Sequence, residues 1–261
     1  MTTGDPHSST PAPAFLDARS GQKFNGLLVR VLAKQHIRAV YQPIVTIADQ
    51  AEHGYEALAR PSSEETNVAE FFVNAERLGI GRDLDWLCRR AAVSSADHLE
   101  PGVKLFLNLN ASTLIDAELD ASLMLQMVST SGLRPEDIVL EITHHALTMG
   151  AVRLPVVAAI YHHYGLRVAL ADFEQEHEPF EVLQQCKIDY IKLARSVAAN
   201  LDAGNEKLVT EALAYADGAG VLVVGEGIER EEQAQRLGEL GVSIGQGYFY
   251  GRPAPFEDVV E

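Results

Sequence analysis

The chain has 261 residues, 47% of them aliphatic, aromatic or cysteine, and a formal net charge of −16 from 21 basic and 37 acidic side chains. That length exceeds one small domain and is normal for a single α/β barrel. The acidic balance, with no run of Lys or Arg to offset it, excludes a non-specific nucleic-acid binder. A phosphate-bearing ligand would need metal ions or local arginines to overcome this field. No apolar stretch approaches the length of a membrane span, and the N-terminus lacks a charged n-region followed by an apolar h-region. The expected compartment is the cytoplasm, with no membrane partner.

Residues 1–20 are rich in Ser, Thr, Pro and Ala without period, which predicts a disordered leader or linker remnant. Residues 21–261 then read as one domain. Apolar, β-branched runs predict strands at 39–47, 54–59, 103–109, 138–142, 166–172, 188–193, 221–225 and 243–248. Helical periodicity lies between most of them, at 67–80, 83–99, 154–165 and 231–241, the last ending on a glycine suited to a C-cap. Eight strands alternating with helices predict an α/β fold, a TIM-like (β/α)8 barrel. No nucleotide-binding glycine fingerprint or P-loop interrupts the pattern. Cys88 and Cys186 are expected to be reduced core thiols, because two cysteines at this spacing make neither a disulfide framework nor a zinc site. Trp86, flanked by Leu84 and Leu87, is expected in the core.

One kind of residue recurs at the end of an apolar strand: Glu56, Asn108, Glu141, Asp172, Lys192, Glu226 and Gln246. A polar group stranded there costs desolvation energy unless something pairs with it. In a barrel these ends converge on one face, where active sites are built. Carboxylates and an amide oxygen are hard ligands, suited to Mg²⁺ or Mn²⁺. Metal-assisted phosphoester chemistry is the reaction class this set suggests. Each residue singly could be a solvated strand edge; seven in register make that reading weak.

The same residues carry a resemblance. "YQPIV" (41–45), "GYEALAR" (54–60), "NLN" (108–110), "LEIT" (140–143), "ADF" (171–173), "DYIKL" (189–193), "GEGIE" (225–229) and "QGYFYGRP" (246–253) occur in order. The chain thereby resembles the EAL domain, the bacterial cyclic di-GMP phosphodiesterase module, from about residue 25 to 256. The resemblance implies an EAL-type barrel in which two divalent ions activate a water that opens the cyclic dinucleotide to linear pGpG. By position it implies that Glu56, Asn108 and Glu141 are ligands of one metal and that Asp172 and Glu226 are ligands of the other. Lys192 corresponds to the lysine that holds the attacking water. Gln42, Glu56, Leu58, Arg60 and Gln246 correspond to residues that contact the dinucleotide, with Arg60 able to fork onto a phosphate or a guanine edge.

The match breaks in one place. Where the family has two consecutive aspartates, this chain has Ala171-Asp172. The resemblance makes the missing aspartate the one that bridges both metals, and a methyl group supplies no lone pair. The family loop that follows contains two glycines and serines; here it reads "EQEHEPF", with Glu174 and Glu176 at the glycine positions, then Glu178 and Pro179. His144 stands where the family places the glutamate that anchors this loop to dimerisation. Ala194 stands where it has an aspartate, and Asn110 where it has a serine.

The expectation is a degenerate EAL-domain protein of bacterial cyclic di-GMP signalling, without phosphodiesterase activity. Lys192 and Glu226 would then be vestigial. The protein would act as a cyclic di-GMP receptor or through a regulatory protein partner. Mg²⁺ or Mn²⁺ would be the cofactor if any metal is retained, and homodimerisation is less secure than in the family. The alternative is a weak metal-dependent phosphodiesterase, with Glu174 or His177 replacing the lost ligand. The pairs His144-His145 and His162-His163 raise a metal site as well, but adjacent side chains point in different directions.

Overall fold

A computed structural model describes residues 37–61, 68–96, 98–143, 154–174, 183, 187–201 and 203–259. The leader at 1–20, Cys186, His144, His145, Glu176, His177, Glu178 and Pro179 lie outside that set.

Eight strands close into a barrel: β1 (Ile37–Thr46), β2 (Glu52–Pro61), β3 (Lys104–Leu109), β4 (Ile138–Thr143), β5 (Arg167–Phe173), β6 (Tyr190–Leu193), β7 (Leu222–Gly225) and β8 (Ile244–Gln246). All eight expected strands are present, each within a few residues of its expected bounds. The barrel departs from simple β/α alternation at its start. β1 runs antiparallel to both neighbours, β2 and β8, while the other pairs are parallel. No helix can be fitted between β1 and β2 because they join in a tight hairpin. There Asp49 accepts hydrogen bonds from Thr46 Oγ1 and from the Ala51 amide.

Helices cover the outside: α1 (Val68–Arg77), α2 (Gly81–Ser95), α3 (Ala117–Ser131), α4 (Leu154–His163), α5 (Arg195–Ala199), α6 (Ala203–Ala219), α7 (Glu231–Leu240) and α8 (Phe256–Val259). Their signals are ordinary. Leu154, Val157, Ala158 and Tyr161 make one buried stripe on α4. The Asp116 side chain caps α3 by accepting from the Leu119 amide, and Gly241 closes α7 at φ 106°.

The core has two layers. One lies between barrel and helices. The other fills the barrel interior with Ile44, Phe106, Val139, Ala169, Tyr190, Val224 and Ile244. Side chains on a strand alternate between faces, so the residue two steps further on points the same way. That step leads from Phe106 to Asn108, from Val139 to Glu141, from Tyr190 to Lys192, from Val224 to Glu226 and from Ile244 to Gln246. On antiparallel β1 the step runs backwards, from Ile44 to Gln42, and Gln42 pairs with Glu56 across the ladder. On β5 it leads from Ala169 to Ala171. A polar layer therefore sits on an apolar plug, and at β5 that layer holds a methyl group.

Candidate active site

The expected residues come together around one ammonium. Lys192 Nζ lies 2.5 Å from Glu141 Oε1, 2.7 Å from Glu226 Oε1 and 3.2 Å from Glu56 Oε2. Gln246 Nε2 donates to Glu56 Oε2 at 2.7 Å and to Gln42 Oε1 at 3.3 Å, and Asn108 Nδ2 donates to Glu56 Oε1 at 2.9 Å. Gln42 Nε2 in turn donates to the Gly251 carbonyl at 3.1 Å. Seven strand-borne side chains thus form one connected network. Its loop on the β7 side is held by the Ile228 amide, which donates to the Gln246 carbonyl at 3.0 Å. Gly247 makes that approach possible, since a Cβ there would fall 1.9 Å from the Ile228 carbonyl oxygen.

The electrostatics follow from burial. Lys192 and Glu141 are 0% and 2% exposed. Burial alone would push the Lys192 ammonium toward losing its proton, but Glu141, Glu226 and Glu56 outweigh it and raise its pKa well above the usual lysine range. Burial and repulsion from Glu56 push Glu141 well above the ordinary carboxylate range, against the pull of Lys192. Glu226 is raised mainly by burial. At Glu56 burial also pushes upward, yet Lys192 and the Asn108 and Gln246 hydrogen bonds win and hold it low. Three carboxylates face one ammonium, so the pocket carries a surplus of negative charge.

Ligand oxygens of Glu56, Glu141 and Glu226 all lie within 4.8 Å of one another. A compact set of carboxylate oxygens in a negative pocket fits a hard divalent cation, Mg²⁺ or Mn²⁺. These three residues would hold it, and such an ion supplies Lewis acidity and an activated water when bound. A second ion is another matter. Asp172 is exposed, sits at φ 56° and stands apart from the group of three, although its charge is felt at Glu226. The ladder between β5 and β6 slips between Leu170 and Phe173, which rotates Asp172 away from the polar layer. Ala171, 4% exposed, occupies the inward position.

Several expectations need correction. Glu56 is not at a strand end: β2 continues to Pro61, so Glu56 is placed mid-strand by its pairing with Gln42. Arg60 and Leu58 do not join the network. They line a neighbouring cavity, and the only printed acceptor for the Arg60 guanidinium is its neighbour's Ala59 carbonyl at 3.0 Å. Trp86 is half-buried, not core, with the Arg89 guanidinium stacked 4.7 Å above its ring. Cys88 is a free, partly buried thiol whose pKa burial pushes far up, which leaves it inert. His162 pairs with Asp189 at 2.7 Å, so its polar partner is a carboxylate on the far side of β5 and not His163.

Two features were missed. Glu174 Oε2 accepts from Ser196 Oγ at 3.0 Å, so the loop's first acid docks on the start of α5 beside Ala194. A buried ion network joins Arg89, Asp85 and Asp120: the Arg89 fork reaches Asp120 at 3.0 and 2.7 Å and Asp85 at 3.1 Å. Tyr161 and Thr113 hydroxyls donate to the two aspartates. The four-residue spacing of Asp85 and Arg89 was the available signal.

The EAL domain profile matches residues 27–253. An uncharacterized signaling protein of Caulobacter vibrioides is 31% identical over 247 residues, which are 92% of this chain and 29% of that protein. "Probable cyclic di-GMP phosphodiesterase PdeB" of Escherichia coli is 27% identical over 223 residues, covering 84% of this chain and 43% of its own length. The chain thus spans less than half the length of these relatives. Among solved structures, the PaMucR phosphodiesterase in complex with c-di-GMP superposes with a TM-score of 0.81 at 23% identity, over 91% of this chain and all of that one. The FimX EAL domain from Pseudomonas aeruginosa bound to c-di-GMP gives a TM-score of 0.78 at 20% identity, over 89% and 96% of the two chains. At such identities the likeness is one of fold. Among the described residues no helix is long and apolar enough to cross a membrane. The profile match over most of its length makes this chain a member of the EAL domain family, within cyclic di-GMP signalling.

Proposed function

We propose that this chain is a non-hydrolysing EAL domain that works by binding cyclic di-GMP in the cytoplasm. The single observation that supports this reading is Ala171. It is the apolar member of an otherwise polar layer, at the position where the family's bridging aspartate belongs. With Asp172 turned outward, a two-metal centre lacks its shared anion, and two nearby cations would repel each other undamped. The remaining parts suit recognition. Gln42, Glu56 and Gln246 are locked into one hydrogen-bonded chain. Arg60 keeps its guanidinium free of carboxylate partners among the described residues, ready for a phosphate or a guanine edge. On this reading Lys192 and Glu226 are vestigial as catalytic groups and serve as structural counter-charges.

The output would pass to a regulatory protein partner, and homodimerisation would be weaker than in working phosphodiesterases because the loop after β5 is rewritten. A second reading has one observation in its favour. The Glu56, Glu141 and Glu226 oxygens suit one divalent ion, which would leave a weak phosphodiesterase yielding pGpG. Incubation of the purified protein with cyclic di-GMP and Mn²⁺, followed by ion-exchange separation, distinguishes them. No pGpG above a metal-only control is expected. Many turnovers per protein would sink the first reading in favour of the second.

A further inference from the structure

Between the outer face of β1–β3 and helices α1 and α2 lies a cavity of about 620 Å³. The carboxylate network is inside the barrel; this space is behind the strand wall. The room comes from small residues, since Ala39, Ala57 and Ala59 on the strands face Ala92 on α2. Protein interiors leave few voids larger than a water molecule. A mainly apolar space of this size with a few polar groups falls in the range of small-molecule sites.

The polar group that points to a ligand is Arg89. It is 2% exposed and lines the cavity. Its two terminal nitrogens are committed to Asp120 and Asp85, while Nε has no acceptor among the described residues. A buried donor left unmatched is costly, so something that accepts from it would be bound favourably. The rest of the wall sets the ligand's character. Phe72, Val73, Leu107 and Leu109 provide apolar surface, and the Cys88 thiol stays protonated beside them. Two aspartates already flank the single Arg89 charge, so an added anion would meet net repulsion.

We propose that this cavity is a second ligand site, for a neutral and largely apolar small molecule whose single hydrogen-bond acceptor reaches Arg89 Nε. Asn108 lines the same cavity and donates to Glu56, which places the occupant one hydrogen bond from the barrel network. The site stands independently of whether cyclic di-GMP is hydrolysed.

The neutral ketone dye prodan, which brightens on leaving water, tests this when titrated into the full chain. Wild type and two variants are compared: Ala59→Phe, which fills the cavity, and Val73→Trp, placed at an α1 position that is 50% exposed and therefore tolerant. Saturable one-to-one binding to wild type is expected, weakened at least about tenfold in each folded variant. Should Ala59→Phe fail to fold, Val73→Trp decides alone. Absence of saturable binding to wild type overturns the proposal. So does equal binding by the variants, with displacement by cyclic di-GMP then placing the dye in the barrel mouth.

Discussion

Lys192 Nζ and Glu141 Oε1 are 2.5 Å apart inside the barrel, and neither side chain has appreciable contact with water. The pair sits within a group of three carboxylates that Lys192 alone neutralises in part. Lys192→Met should therefore leave uncompensated buried charge, at a cost of about 3–5 kcal/mol. Thermal melts should show a large fall in Tm. Added Mn²⁺ should raise the variant's Tm more than the wild type's, because the ion takes over the role of the ammonium. A variant as stable as wild type without metal would show that the network carries less charge than the geometry implies.

Ala171→Asp should not restore a phosphodiesterase. The single change returns the bridging carboxylate, but Glu174, Ala194 and His144 still differ from the family. Turnover measured by pGpG formation should remain at least roughly 10³-fold below that of a working enzyme, since members of a catalytic unit act together. A fast enzyme from this one substitution would mean that the rewritten loop is irrelevant to catalysis.

Most of the barrel was legible because each strand is a short apolar run ending in one polar residue. Direction was not. Side-chain alternation is the same for a strand running either way, so β1 looked like any other, and the Thr46–Ala51 hairpin lacks the Asn-Gly or Asp-Gly signal of a two-residue turn. The polar layer was legible residue by residue, but Asp172 was not, because its displacement arises from a slip in the β5–β6 ladder that no local pattern encodes. Arg89 and Asp120 escaped for a different reason. A charge on a helix reads as solvent-facing until the neighbouring helix is in place.

That buried pair gives a stability prediction. Arg89→Met should cost about 3–5 kcal/mol, because Asp120 and Asp85 lose their shared cation at 0% and 4% exposure. Adding Asp120→Leu to Arg89→Met should recover part of the loss. Chemical denaturation of the single and double variants measures it, and a single variant within about 1 kcal/mol of wild type would remove the network from the list of stabilising features.

Asp189 supplies a pH dependence. Burial pushes its carboxyl up, but His162, Arg167 and the Val168 amide together hold it below the ordinary 3.8. A depressed folded pKa contributes stability that is complete above the unfolded value and is lost as pH falls through the folded one. Asp189→Asn should thus lose about 1–3 kcal/mol at pH 7, with the gap to wild type closing below about pH 4. Melting curves across that range check it, and a gap that persists unchanged in acid would exclude the carboxylate as its source.

The central claim is that the site binds without turning over. Calorimetric titration of cyclic di-GMP into the purified protein, once with EDTA and once with Mn²⁺, tests it most directly. A saturable isotherm in both, with heat returning to baseline after each injection, is the predicted result. Sustained heat after each injection in Mn²⁺ alone, with pGpG recovered from the cell, would contradict it, and no heat in either condition would remove the dinucleotide from the account.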